Sequence, residues 1–141
     1  MTTIATTFGL RAESWIVELL VANGYQAIHA TAVDDKVHKV DFWVVWHNRW
    51  LAIQFSIDRQ KVVGRKGLDA LARGVVPSWL DGQELERAVS GQLESRQRVL
   101  SQFWKQVEAI VASHPELPVR RPEATALQHS TGGTKVLAGV K

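Results

Sequence analysis

Lys39, Asp41, Gln54, Ser56 and Asp58 fall at alternate positions of two short runs, and together they carry an ammonium, two carboxylates, an amide and a hydroxyl. Groups of these types brought onto one surface have the makeup of a binding or catalytic site. The segment that would gather them is Lys39 to Asp58, KVDFWVVWHNRWLAIQFSID, which reads as a β-hairpin.

Val40, Phe42, Val44 and Trp46 alternate with Asp41, Trp43, Val45 and His47. After an Asn48-Arg49 turn, Leu51, Ile53, Phe55 and Ile57 alternate with Ala52, Gln54, Ser56 and Asp58. A two-residue turn there predicts that His47 faces Trp50, Val45 faces Ala52, Trp43 faces Gln54 and Asp41 faces Ser56. One face is then wholly apolar and must be covered, because a slip of one residue would turn it toward water. The opposite face carries Asp41, Gln54 and Ser56 at the end away from the turn, with Lys39 across from Asp58 and Trp43 among them.

A helix precedes this hairpin. Thr6 or Thr7 can cap a segment running to about Asn23, and Gly24 supplies a left-handed stop. Counting from Glu13 at helical spacing reaches Ile16, Val17 and Leu20, so this carboxylate shares a stripe with core-seeking residues, whereas Glu18 lies off it. Tyr25 to Ala32 is expected as a strand, and Val33 to His38 as a polar loop.

Beyond Asp58 the chain turns basic: Arg59, Lys61, Arg65, Lys66 and Arg73 stand with Asp69 as the one acid. Gly67 to Arg73 is expected to form a short helix ended by Gly74. Val75 to Asp81 has the length of a strand that a helical crossover could set parallel to its neighbour, at an edge because of Pro77. Asp81 then caps a long amphipathic stretch marked by Leu85, Val89, Leu93, Leu100, Phe103, Val107 and Ile110, with a break expected near Ser90-Gly91. From residue 115 the periodicity stops, and a flexible tail is expected.

The whole chain is 141 residues with 45% hydrophobic content, enough for one domain with its own core over residues 1–114. It has no cysteine, which excludes disulfides and thiolate chemistry, and a formal charge of +3, which permits a polyanionic partner without requiring one. No stretch has the makeup of a secretory leader or a membrane span, so the expectation is a cytoplasmic protein with no membrane partner. No histidine pair has metal-ligand spacing. Gly64 and Gly67 lack the lysine-serine or lysine-threonine pair of a phosphate loop, which argues against nucleotide hydrolysis of that kind.

The order helix, three strands, helix, strand, helix, with an acid on the first helix and an aspartate opening the second strand, resembles the PD-(D/E)XK nuclease superfamily, in its restriction-endonuclease-like and Holliday-junction-resolvase-like forms. The resemblance covers Gly9 to about Asp81. It implies an α/β fold: a restriction-endonuclease-like αβββαβ core with a mixed sheet, here followed by a long C-terminal helix. In that family an aspartate on the second strand and an acid on the third bind magnesium, a lysine two positions later acts on the attacking water, and a helical glutamate often joins the metal. Carried over, Glu13 matches the helical acid and Asp41 the first hairpin acid. Gln54 stands where the second acid belongs and Ser56 where the lysine belongs, so IQFS replaces a pattern like IEVK. Lys39 and Lys61 are the lysines that could be recruited instead.

These departures imply a degenerate catalytic group of Glu13, Asp41, Gln54 and Ser56, with magnesium or manganese held by Asp41, Gln54 and Glu13. A glutamine offers oxygen without charge, and a hydroxyl cannot stabilise a developing phosphorane. The expected function is nucleic-acid binding, DNA ahead of RNA, with weak, altered or absent metal-dependent phosphodiesterase activity. Arg59, Lys61, Arg65, Lys66 and Arg73 would meet the phosphates, and Trp43 would offer a stacking face. Phe103 and Trp104 on the long helix suggest a homodimer. Each group also fits a structural role: Glu13 at a helix end, Asp41 bonded across to Ser56, the cations as a solvated face. The second reading is a non-enzymatic protein-interaction module that keeps the nuclease-like fold.

Overall fold

The computed structural model describes residues 4–117 and 121–122. Its elements are α1 (Ile4–Ala22), β1 (Ala27–His29), α2 (Ala32–Val37), β2 (Phe42–Trp46), β3 (Arg49–Ser56), α3 (Arg65–Ala72), β4 (Val75–Trp79), α4 (Gly82–Val89) and α5 (Leu93–Ser113), with a 3-10 turn at Arg59–Lys61. The chain is thus α/β, with one four-stranded mixed sheet in the order β1-β2-β3-β4 and a long C-terminal helix. β1, β2 and β3 run antiparallel. β4 joins β3 in parallel through the α3 crossover, as the short apolar run after Gly74 led one to expect.

Both sheet faces are buried, each under its own helices. Phe42, Val44, Leu51, Ile53, Phe55 and Val76 pack beneath α1, α4 and α5, which contribute Ile16, Leu20, Leu85, Val99, Phe103 and Val107. On the opposite face Ile28, Val40, Trp43, Ala52 and Val75 form a smaller core with Ala70 of α3. This explains why Trp43 and Ala52 are apolar on a face that the alternation alone marks as polar.

The hairpin register differs from the sequence expectation. Trp43 pairs with Ala52, Val45 with Trp50 and Trp46 with Arg49, so His47 and Asn48 are the turn, at φ 49° and 64°. The slip equals two residues, one full period of a strand, so each of these side chains keeps its expected face. Val40 is the exception. It lies in the second core while Phe42 lies in the first, so alternation breaks between them. Two features account for this: Lys39 has left-handed backbone at φ 60°, and the Asp41 N–H donates to the Ile53 carbonyl at 2.8 Å, one position off the β2/β3 register. Two residues against one on the partner strand is a β-bulge.

α2 corrects another expectation, since residues 33–38 read as a loop and Tyr25 to Ala32 as strand, of which only Ala27–His29 pairs. Thr31 caps this helix by accepting the Asp34 N–H at 3.1 Å. Thr-x-x-Asp is a helix-start signature that could have revealed it. α1 begins at Ile4, ahead of the expected caps Thr6 and Thr7, and Gly24 follows it at φ 89°. Asp81 caps α4, taking the Glu84 N–H at 3.0 Å, and the expected break separates α4 from α5.

β4 is an edge strand whose open side is closed chemically. The N–H groups of residues 76, 78 and 80 face β3, so those of 75, 77 and 79 face outward. Pro77 has none, and Gln106 of α5 brackets Trp79, its Oε1 accepting the Trp79 N–H at 2.8 Å and its Nε2 donating to the Trp79 carbonyl at 2.6 Å. Much of the apolar stripe of α5 is spent inside the chain: Val99, Phe103 and Val107 are buried and Trp104 packs against the main core, while Leu93 is exposed with Gln97, Arg98, Ser101, Lys105 and Glu108. Of the two residues expected at a dimer contact, Phe103 is therefore buried within the chain and Trp104 is half-buried. Of the tail expected from residue 115, residues 118–120 and 123–141 lie outside the described residues.

Candidate functional site

The bulge decides where Asp41 points and what holds it. In an unbroken ladder the Phe55 N–H would meet a main-chain carbonyl of the strand running before Phe42. The kink at Lys39 removes that partner, and the Asp41 Oδ2 accepts the Phe55 N–H instead, at 2.7 Å. The carboxylate is thereby fixed to β3 at the sheet end where α1 and α2 converge.

Glu13 of α1 faces this point. Its neighbours on the helix stripe, Ile16, Val17 and Leu20, are buried, and burial with the nearby charges of Asp41 and Asp35 pushes its carboxyl up from 4.5 to about 8. Asp41 is raised from 3.8 to about 6, chiefly by burial; the Phe55 N–H opposes the rise, and Asp35 adds to it. At neutral pH Glu13 therefore holds a proton beside an ionised Asp41. Such a pair can donate and accept a proton across one site, or exchange the proton for a cation.

Asp35, third in this group, is exposed on α2, a segment whose polar sequence reads as a loop and so gives no sign of it. α2 is pinned by Asp34, a residue only 4% exposed, whose Oδ2 accepts the Trp43 indole N–H at 3.3 Å and whose carbonyl accepts the Val40 N–H at 3.0 Å.

Gln54 and Ser56 stand differently from the expectation. Gln54, expected across from Trp43, is half-buried on β3 opposite Pro77 of β4, and Trp43 pairs with Ala52 instead. Ser56 does not meet Asp41; its hydroxyl accepts the Asp58 N–H at 2.9 Å, in the local turn that starts the 3-10 segment. The structure thus brings Glu13 and Asp41 together and leaves Gln54 and Ser56 on the neighbouring strand, with the backbone of Phe55 as the link.

Arg59, Arg65 and Lys66 are exposed, and Lys61 closes the 3-10 turn between them. Arg73 is half-buried at the end of α3. Trp43 is only 1% exposed, so the stacking face expected of it is absent: its ring fills the second core and its indole N–H is bonded to Asp34.

No protein family, curated protein or solved structure matches the chain. The donor set can be tested for magnesium on chemistry alone. Among the described residues no three histidine, aspartate or glutamate side chains are grouped to hold a metal. Asp41 and Glu13 supply two carboxyl groups, the charge of Asp41 raising Glu13, and a cation would favour the ionised form of both; magnesium commonly takes one or two carboxylates with water completing its shell. The fit is to a weakly held, largely hydrated ion. Among the described residues no helix is long and apolar enough to cross a membrane.

Proposed function

We propose that this chain is a nucleic-acid-binding protein of the PD-(D/E)XK nuclease type in which metal-assisted phosphodiester cleavage is weakened or lost. The observation that carries the reading is the approach of Glu13 to Asp41 at one end of a sheet built in the order helix, three antiparallel strands, helix, parallel strand. That order, with those two acids, is what the family resemblance asks for. α2 is an insertion within it.

The chemistry follows from the groups present. Asp41, held by the Phe55 N–H, would be the principal metal ligand, with Glu13 as the second acid. A bound magnesium or manganese ion would polarise the phosphate and the attacking water. Gln54 and the Phe55 carbonyl would offer oxygen without charge, so a cation would be bound weakly. Ser56 gives no positive charge to the transition state, and its hydroxyl is engaged with Asp58. Arg59, Lys61, Arg65 and Lys66 follow directly on the end of β3 that holds Phe55 and would carry a phosphate backbone toward Asp41, whereas Arg73 stands at the far end of α3.

The test is incubation with single-stranded, duplex and branched DNA, and with RNA, in magnesium or manganese, alongside Asp41→Asn. Binding with slow or undetectable cutting supports the proposal, as does slow cutting that the substitution removes. Rapid metal-dependent cutting abolished by Asp41→Asn would overturn the claim that the chemistry is weakened.

A further inference from the structure

A second site lies at the opposite end of the hairpin from Asp41. Five residues of β2 separate the bulge from the turn, about 17 Å at about 3.4 Å per residue. There a cavity of about 680 Å³ opens between the α1–β1 loop, the β2–β3 turn and the middle of α5. Its volume is that of a small-molecule pocket.

Three features of the lining define what it would take. The rings of Tyr25, Trp46, His47 and Trp104 dominate its wall: Tyr25 and Trp104 lie 4.9 Å apart and tilted by 42°, and His47 stands edge-on to Trp46 at 4.1 Å. Such faces select a flat, polarisable ligand. The formal charges are Lys105 and Glu108, one of each sign on the same helix, so the lining carries no net charge that would select a polyphosphate or an organic cation. The amides of Gln26 and Asn48 add neutral donors and acceptors for a ring edge that carries both.

Two costs in the fold concentrate at the same place. His47 and Asn48 form the two-residue turn in left-handed backbone, where glycine is the easier choice at the second position. The Trp104 indole nitrogen is buried without a hydrogen-bond partner, a cost that a phenylalanine would avoid. Both put side chains into the cavity wall.

We infer that this cavity is a binding site for a neutral heteroaromatic base, stacked against Trp46 and Trp104 and read at its edge by Gln26 and Asn48. The base can come from a free nucleoside or from a single strand, and the inference stands apart from the chemistry at Asp41.

The experiment follows the indole N–H resonances of Trp46 and Trp104, assigned with Trp46→Phe and Trp104→Phe, during titration with adenosine, guanosine, cytidine, uridine and a mixed single-stranded oligonucleotide. Two variants keep the test open if the tryptophan replacements fold poorly. Ser101→Tyr fills the mouth from an exposed position, and Asn48→Gly removes an amide while easing the turn. The inference expects both indoles to shift with at least one nucleoside or with the oligonucleotide, and Ser101→Tyr to weaken that binding by about tenfold or more while circular dichroism is unchanged. Shifts with nucleosides identify a free base as sufficient. Shifts with the oligonucleotide alone identify the strand as the source. No shift of either indole with any probe, or binding untouched by both variants, overturns the site.

Discussion

Asp41 accepts the backbone N–H of Phe55 at 2.7 Å, standing in for a main-chain carbonyl on the β2/β3 ladder. The candidate metal ligand is thus also a structural member of the sheet, and its two roles can be separated. Asp41→Asn keeps an oxygen for Phe55 and should lose metal binding with little loss of stability. Asp41→Ala leaves that N–H without a partner and should cost about 1–3 kcal/mol. Denaturant unfolding of the two variants, beside calorimetry with magnesium, checks the separation. Equal stability of the alanine and asparagine variants would count against it.

Glu13 sets a pH dependence whose sign is fixed. Its carboxyl lies at 4.5 ordinarily and at about 8 in the folded chain, raised first by burial and then by Asp41 and Asp35. Between those values the folded state keeps a proton that the unfolded state has released, so stability falls as pH rises from 4.5 through about 8 and is level beyond. Asp41 acts in the same direction between 3.8 and about 6. Glu13→Gln should flatten the upper part of this fall and exceed the parent in stability above about pH 8. Unfolding followed across pH 4–9 measures both slopes, and identical slopes would remove Glu13 as the source.

Gly67 is needed where α3 passes the 3-10 turn. A Cβ there would collide with the Val62 carbonyl oxygen, which is backbone and cannot swing aside. Helix propensity alone would favour Gly67→Ala by about 1 kcal/mol. The collision should reverse that sign and leave a net loss of about 1–3 kcal/mol, read as a lower unfolding midpoint. A stabilised variant would show that the turn moves freely.

Gln106→Ala strips the bracket from Trp79 and reopens the edge of β4. Loss of two bonds to backbone should cost roughly 1–3 kcal/mol, and the exposed edge should promote self-association with rising concentration. Light scattering and thermal unfolding of the variant test these together. Unchanged behaviour would mean that Pro77 alone protects the edge.

Much of the architecture was legible because periodicity survives small errors. The hairpin turn was placed one residue late, yet the slip amounts to a whole period and the faces came out correctly. Gly24, Gly74 and Asp81 marked helix ends by local chemistry, and β4 was found from its length and Pro77. The bulge was not legible: it depends on Lys39 adopting a left-handed backbone, which lysine composition does not announce, and it moved Val40 to the other core and turned Asp41 to the Phe55 N–H rather than to Ser56. α2 was overlooked because six residues are too few to show a helical period, although Thr31 and Asp34 carried its cap. Trp43 was misjudged since alternation identifies a face but not whether a helix covers it. Within the site, the Glu13 stripe was readable from spacing, and Asp35 was hidden with α2.

The central claim, that the basic segment after β3 meets a phosphate backbone, is tested most directly by measuring DNA affinity across ionic strength for the parent and for Arg65→Glu with Lys66→Glu. Exposed cations neutralising phosphates predict binding that falls steeply with salt, and a shallower slope by about one to two units in the doubly reversed variant. No binding at low salt, or a slope that charge reversal leaves unchanged, would contradict the account.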